Sequence, residues 1–436
     1  MPYVVPSPPA PPGAPPPGPG RRGRWSRTVR RFAAVVALAT GAALAGPGTA
    51  EAAPAAPVVA EARAAAALER VTSFGANPGG LNMYVYRPAA LPASAPVVVA
   101  LHGCTQSAQV YSDNAGLNTF ADRHGFLVVY AETTTANNAN KCFNWFQPGD
   151  TRRGQGEAAS IRQMVAHAAT AYGADTGRVQ VTGLSAGGAM TSVMLAAYPD
   201  VFAAGAVVAG IPYGCGTDVV SAFGCMSPGV DRTPAAWAQA VRNAHPGFAG
   251  PWPRVAIWHG DNDATVAPRN ADELRDQWTA VHGLGQTPDR TSTIGPNSTR
   301  RSEYLAADGR SVVEVDRVPG IGHGTPVDPG SGAEQCGATG TQHFIDSICS
   351  GYWITRFFGL DGTTTPEPPV DPPTEPAACW TANNYEHVRA GRATTTGGQV
   401  YAKGSGQHLG LYNTFVTHTL KESPAGHYVV ADGSCP

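Results

Sequence analysis

Three side chains in this sequence have the types and chain order needed to open a carbonyl centre: Ser185, Asp263 and His323. Ser185 stands in Gly183-Leu-Ser-Ala-Gly-Gly188, between the β-branched run Arg178-Val-Gln-Val-Thr182 and the Ala/Met/Leu-rich run Ala189–Tyr198. That order predicts a strand, a sharp turn and a helix, with the serine at the apex. A Gly-x-Ser-x-Gly elbow needs its glycines because the serine takes a strained backbone conformation. Side chains two residues away on either side would also meet the neighbouring strand and helix. The helix that follows aims its first amides, and the positive end of its dipole, at any oxyanion formed on Ser185. In a chain rich in alanine and glycine the same six residues also suit a plain strand-to-helix turn, so the partners decide.

A serine nucleophile needs a base, an acid that orients the base, and donors for the oxyanion. Elbow hydrolases carry them in the order serine, acid, histidine, on loops that follow strands. Arg254-Val-Ala-Ile-Trp258 runs into His259-Gly-Asp-Asn-Asp-Ala-Thr-Val266, which offers two acids. Asp261 lies at the strand end, where capping the turn is its simpler role; Asp263, two residues on, is the favoured orienting acid. The run Ser311–Val318 leads into Pro319-Gly-Ile-Gly-His-Gly324, whose glycines let the loop carry the His323 imidazole over the serine. After Val97–Leu101 comes His102-Gly-Cys-Thr105, on the loop where a second oxyanion donor is expected. The amides of Cys104 and Ala186 are therefore the expected hole, each donor of such a hole being worth about 3 kcal/mol. His102 precedes the serine and abuts a strand, so it is read as orienting the loop rather than as the base. Trp145, in Cys142-Phe-Asn-Trp-Phe146, is expected at the rim of the site as a substrate contact if Cys104 bridges Cys142; the competing reading is a core aromatic.

Positioning these groups takes an α/β domain from about residue 64 to 360. Gly80–Tyr86 reads as an opening antiparallel strand. Pro96–Leu101 and Gly125–Tyr130 are short, β-branched and apolar throughout, as strands covered on both faces should be. Ala158, Ile161, Met164, Val165, Ala168 and Tyr172 recur at helical spacing. Further strands are expected at Ala204–Ile211, Arg254–His259 and Ser311–Val318, and helices at Pro268–His282 and Gln342–Phe358. Strands alternating with helices imply a doubly wound, mostly parallel sheet that binds ligands at the carboxyl ends of its strands.

Residues 1–52 stand apart from this domain. Six arginines between Arg21 and Arg31 precede an apolar stretch, Phe32–Ala45, and a small-residue exit around Ala50–Ala53. That is a secretory signal peptide, the apolar core being too short for a membrane anchor. Its removal takes away six arginines and one glutamate, leaving 24 basic and 31 acidic side chains, a net charge of −7. An acidic body with three lysines suits neither nucleic acid nor an anionic membrane. Export makes the eight cysteines candidates for disulfides. Eight allow about 105 pairings, so connectivity stays open, although proximity suggests Cys215–Cys225, Cys336–Cys349 and Cys379–Cys435, which leaves Cys104 with Cys142. No Cys-x-x-Cys or His-x-x-x-His spacing points to a metal, and no cofactor is expected.

Together, Leu-His-Gly-Cys-Thr-Gln106, Cys-Phe-Asn-Trp-Phe146, the Ser185 elbow, His-Gly-x-x-Asp263 and Gly-Ile-Gly-His-Gly-Thr-Pro-Val-Asp328 resemble the secreted poly(3-hydroxybutyrate) depolymerase-type esterases. The resemblance covers roughly residues 65–360. It implies an α/β-hydrolase fold without metal and hydrolysis of carboxylic esters through an acyl-enzyme. Ser185 would be the nucleophile, Asp263 the acid, His323 the base and Cys104 an oxyanion donor. Feruloyl and acetylxylan esterases have closely similar catalytic domains, so a polysaccharide ester is the alternative to an insoluble polyester as substrate.

At Asp361 the composition breaks. Residues 361–377, rich in proline and threonine, read as a stiff spacer. Residues 378–436 then form a small disulfide-closed module, similar to the short C-terminal modules of such depolymerases and of some secreted polysaccharide-active enzymes. Trp380, Tyr385, Tyr401, Tyr412, Phe415 and Tyr428 are many aromatics for its size. Some are expected in its core and a few on a flat face for an insoluble polymer. A stiff linker and a surface-binding module are useful chiefly where local concentration limits the rate. The expected location is extracellular.

Overall fold

The structure, a computed structural model, describes residues 68–362, 379–422 and 426–433. The signal segment expected over residues 1–52, nearly all of the expected spacer and Cys435 lie outside them.

In chain order the catalytic part contains β1 (Glu69–Val71), β2 (Asn82–Tyr86), β3 (Val97–Leu101), α1 (Ala108–Asn114), α2 (Leu117–His124), β4 (Leu127–Glu132), α3 (Pro148–Thr151), α4 (Gly156–Tyr172), β5 (Val179–Leu184), α5 (Ala186–Ala197) and β6 (Ala204–Val208). It continues with α6 (Val219–Met226), α7 (Pro234–Ala244), β7 (Arg254–Gly260), α8 (Arg269–Val281), β8 (Arg290–Ile294), β9 (Thr299–Leu305), β10 (Ser311–Val318), β11 (Thr325–Val327), β12 (Phe344–Asp346) and α9 (Ser350–Phe357). Strands β1 to β10 form one sheet in the order β1-β2-β4-β3-β5-β6-β7-β10-β9-β8. The six central strands, β4 to β10 in that order, are parallel. The two strands at each edge join antiparallel.

Strand β3 shows why these runs fold as they do. Val97, Val99 and Leu101 face one core with helices α4, α5, α7 and α8, while Val98 and Ala100 face the other with α1, α2 and α9. Successive side chains of a strand point to opposite faces, so a strand covered on both must be apolar throughout. Strand β10 departs from this rule by carrying Glu314 and Asp316. Both are buried beside Arg301, whose guanidinium binds Asp316 through two hydrogen bonds of 2.8 and 3.1 Å.

The helix expected over Gln342–Phe358 is shorter than its apolar pattern implies. Phe344–Asp346 instead runs parallel to Thr325–Val327 as β12. Helix α9 begins only at Ser350, where the Cys349 sulfur caps it and a disulfide to Cys336 fixes the start. The expected pairs Cys104–Cys142 and Cys215–Cys225 are also formed.

The C-terminal part holds β13 (Cys379–Asn383), α10 (Asn384–Arg389), β14 (Ala393–Thr396), β15 (Gln399–Ala402), β16 (His408–Leu411), β17 (Thr417–Glu422) and β18 (Tyr428–Val430). They make two three-stranded sheets, β13-β17-β18 and β14-β15-β16. The core between them is aliphatic and small: Ala393, Val400, Ala402, Leu409 and Leu420. So small a core needs a covalent staple, and Cys379 is disulfide-bonded.

Candidate active site

Ser185 sits between β5 and α5 with φ 56° and ψ −117°, a strained positive-φ conformation that costs a non-glycine residue roughly 1–3 kcal/mol. The surroundings hold it there. Its amide donates to the Val208 carbonyl of β6 at 2.9 Å, and its carbonyl accepts from the Ala189 amide at 2.8 Å. A β-carbon on Gly187 would press on the carbonyls of Leu101 and His102, and one on Gly183 would lie 2.5 Å from the Gly187 carbonyl. The elbow is thus jammed against the end of β3. All twelve residues of α5 are buried, so its positive end faces the serine with little screening by solvent.

Nε2 of His323 lies 2.8 Å from the Ser185 Oγ, and its Nδ1 lies 2.7 Å from Oδ2 of Asp263. The two loops meet because Gly260, at the end of β7, lets the chain pass directly beneath the carbonyls of Ile321 and Gly322; a side chain there would strike both. Backbone bonds from Asp261 to Val318 and from Asn262 to Ile321, both 3.0 Å, zip the loops together. Burial pushes the Asp263 carboxyl up. The hydrogen bond and charge of His323, the Val266 amide and His259 more than offset this and hold it below the usual carboxylate range. Its Oδ1 accepts from the amides of Thr265 and Val266 at 2.9 and 2.8 Å, which fixes the carboxylate plane. Asp261, the competing acid, points away and binds Arg300 at 2.9 Å.

Across the serine, Ala186 opens α5 and Cys104 follows β3; both line one cleft with Ser185. The Cys104–Cys142 disulfide ties this loop to the segment carrying Trp145. Buried His102 accepts from the Thr133 amide at Nε2 (3.2 Å) and so donates from Nδ1 to the Gly103 carbonyl (2.7 Å). Burial lowers its pKa to about 4, which keeps the ring neutral and in that tautomer. It is a loop anchor by geometry. The cleft holds about 310 Å³, and its walls include Trp145, Phe146, Ile211, Val219, Phe223 and Met226. Trp145 is 8% exposed: it is a wall of the cleft with its back in the core rather than a rim residue.

Three further groups support the site without a sequence signal of their own. The Gln106 side chain accepts from the Gly103 amide at 2.9 Å and donates to the Gln342 carbonyl at 3.4 Å, bridging the Cys104 loop to a distant segment. On that segment His343 donates from Nδ1 to the His323 carbonyl at 3.1 Å, with the two rings 5.6 Å apart. Glu157, buried at the start of α4, accepts from the Asn144 amide at 2.8 Å and so braces the Trp145 segment from behind. Each bridges separate segments, 13 positions apart for Glu157, 20 for His343 and 236 for Gln106, which no local pattern records. Among the described residues no group of three or more His, Cys, Asp or Glu is placed to hold a metal ion.

A serine on a strand–helix elbow, bonded to an imidazole that is bonded to a buried carboxylate, defines a serine hydrolase of the α/β-hydrolase fold. The family described as "Esterase PHB depolymerase" matches residues 81–298, a span that includes Ser185 and Asp263. Poly(3-hydroxyalkanoate) depolymerase C of Paucimonas lemoignei is 52% identical over 68% of this chain and 71% of its own length. An acetylxylan esterase of Coprinopsis cinerea is 39% identical over 59% of this chain and 69% of its own length. Feruloyl esterase B of Talaromyces stipitatus is 36% identical over 63% and 77% respectively. Among solved structures, an acetyl xylan esterase from Aspergillus awamori superposes with a TM-score of 0.57 at 29% identity, covering 67% of this chain and 99% of that one. The chain belongs to the PHB depolymerase esterase family and is a carboxylic-ester hydrolase.

Proposed function

We propose that this protein is an exported serine esterase that depolymerises a short-chain polyhydroxyalkanoate such as poly(3-hydroxybutyrate). The observation that carries the chemistry is the unbroken line from Ser185 through His323 to Asp263, with Ser185 lining a largely apolar cleft. The Ser185 Oγ attacks the ester carbonyl carbon while Nε2 of His323 takes its proton. The amides of Ala186 and Cys104 hold the resulting oxyanion, and Asp263 stabilises the imidazolium. Collapse of the tetrahedral centre breaks the ester C–O bond, and the leaving alcohol takes the proton from His323. Water then repeats the sequence on the acyl-serine, releasing the acid and restoring the enzyme.

The polyester substrate is supported by the 52% identity to a polyhydroxyalkanoate depolymerase against 39% and 36% to the two polysaccharide-ester hydrolases. A feruloyl or acetyl ester of xylan is the second reading, favoured by the Aspergillus awamori likeness. Clearing of a poly(3-hydroxybutyrate) suspension, set against ferulate and acetate release from arabinoxylan, separates the two. Polysaccharide release without clearing would replace the first by the second.

In the C-terminal module, Trp380 packs on Tyr428 and Tyr401 on His408 in half-buried positions, whereas Tyr385 and Tyr412, whose rings lie 5.6 Å apart, and Phe415 are 41, 43 and 90% exposed. The exposed three are the proposed polymer-binding face. Residues 1–52 act as the export signal, and an extracellular location agrees with the three disulfides of the catalytic part.

A further inference from the structure

One helix beside the cleft turns apolar side chains to solvent. Val219, Val220 and Phe223 of α6 are 55, 78 and 66% exposed, while Ala222 and Cys225 on the same helix are buried. The spacing of three and four residues sets Phe223 beside both valines, so the three form one stripe. Natural surfaces seldom carry such a stripe without a partner.

The stripe is rigidly built. Asp218 caps α6, accepting from the amides of Val220 and Ser221 at 2.9 and 2.8 Å, and the Ser221 hydroxyl accepts from the Asp218 amide at 3.1 Å. At the other end the Cys215–Cys225 disulfide and the Asn270 side chain, which donates to the Cys225 carbonyl at 3.0 Å, hold the helix to the body. Its exposure is therefore a fixed feature of the fold.

Continuity with the cleft identifies the occupant. Val219 and Phe223 are exposed and also line the cleft that contains Ser185; Val220 carries the apolar surface beyond it. A single small ester needs only the cleft. A chain whose scissile ester lies at Ser185 and whose next units continue outward would cover the stripe. Between Gly214 and Val230 the sole charged residue is Asp218, so the helix itself supplies no basic side chain of the kind an anionic membrane attracts; of the arginines packed beside it, Arg232 is tied to the Gly214 and Cys215 carbonyls and Arg269 to Asp231 and Glu273. Phe223 is the one aromatic of the three stripe residues, the other two being aliphatic.

We propose that the exposed stripe of α6, Val219, Val220 and Phe223, is the edge by which the hydrolase part itself docks an apolar aliphatic polyester and feeds it to Ser185. This rests on the polyester reading above and adds a contact separate from the C-terminal module.

The test uses the full-length chain with Val220→Ser, the stripe position outside the cleft lining, and Val220→Leu as the apolar control. Thermal unfolding checks that each variant is folded. The rate of clearing a poly(3-hydroxybutyrate) suspension is divided by the rate on p-nitrophenyl butyrate. The serine variant should lower this ratio several-fold, as truncation of an interface contact does, and the leucine variant should stay near the wild type. In a Ser185→Ala background the serine variant should also weaken adsorption to a poly(3-hydroxybutyrate) film. An unchanged ratio with unchanged adsorption would overturn the proposal. So would loss of a dimer on sizing, or of binding to phosphatidylcholine vesicles, while polyester clearing is kept, since the stripe would then serve a second copy or a lipid surface. Failure of the polyester reading shows differently: the wild-type protein itself would clear nothing while releasing ferulate from arabinoxylan.

Discussion

Ser185 becomes nucleophilic only while His323 presents an unprotonated Nε2, and the residue bonded to Nδ1 decides that. Asp263 makes this bond at 2.7 Å, whereas Asp261 spends its carboxylate on Arg300. Asp263→Asn should therefore lower kcat on a soluble ester by about 10⁴-fold, because the amide allows the wrong imidazole tautomer. Asp261→Asn removes only a partly exposed ion pair, worth at most about 1 kcal/mol, and should leave kcat within about threefold. The opposite ranking in steady-state kinetics would exchange their roles. Ser185→Ala should remove turnover by about 10⁴-fold or more and leave adsorption to polyester film intact; retained hydrolysis would mean that another group attacks. Sequence position favours Asp263 over Asp261 only by its place two residues farther along the loop. What separates them is how the loops after β7 and β10 are stitched together, and that depends on strands packed far apart in sequence.

At the scale of elements, the cleft depends on two segments braced from behind. The Cys104–Cys142 disulfide closes a loop with a sequence separation of 38. Replacing both cysteines by serine should cost about 2–4 kcal/mol by chain entropy. It should also lower kcat more than it raises KM, since the Cys104 amide would lose its fixed position. Denaturant unfolding and soluble-ester kinetics on the same sample check both parts. On the other side Glu157 braces the Trp145 segment, and burial raises its pKa from 4.5 to about 8. The unfolded chain therefore releases this proton from about pH 4.5 upward while the folded one keeps it. Stability from Glu157 is full below that range and is lost as pH rises towards 8, by at most about 1.4 kcal/mol per pH unit. Glu157→Gln keeps the acceptor for Asn144 and removes the titration, so its Tm advantage over the wild type should grow from pH 5 to pH 8. A difference that stays flat would show Glu157 ionised in the fold throughout.

For the molecule as a whole, two cores are built on different terms. The catalytic part buries a ten-stranded sheet between helices, while the C-terminal part has five small or aliphatic residues at its centre and a disulfide-bonded Cys379. Deleting residues 362–436 should spare hydrolysis of p-nitrophenyl butyrate and slow attack on solid polyester several-fold, because local concentration is then lost. Equal loss on both substrates would make the tail structural. The six aromatics of this module read alike in the sequence. Trp380, Tyr401 and Tyr428 turn out to be half-buried, while Tyr385 and Tyr412, whose rings lie 5.6 Å apart, and Phe415 are exposed, a division invisible to composition.

Local pattern alone was enough for the parts whose physics is local. β-branched apolar runs can only be doubly covered strands, and Gly-Leu-Ser-Ala-Gly between a strand and a helix can only turn sharply. The order of serine, acid and histidine then named the candidate site. Local pattern failed where partners were distant: Gln342–Phe358 reads as one helix, yet pairing with Thr325–Val327 and the Cys336 disulfide cut it at Ser350. Only tertiary structure brought His323 onto Ser185 across 138 positions and onto Asp263 across 60. It also made Trp145 a wall rather than a rim and left the α6 stripe bare. A one-dimensional pattern encodes backbone states within a few residues, whereas contact and exposure are properties of the order in which strands assemble.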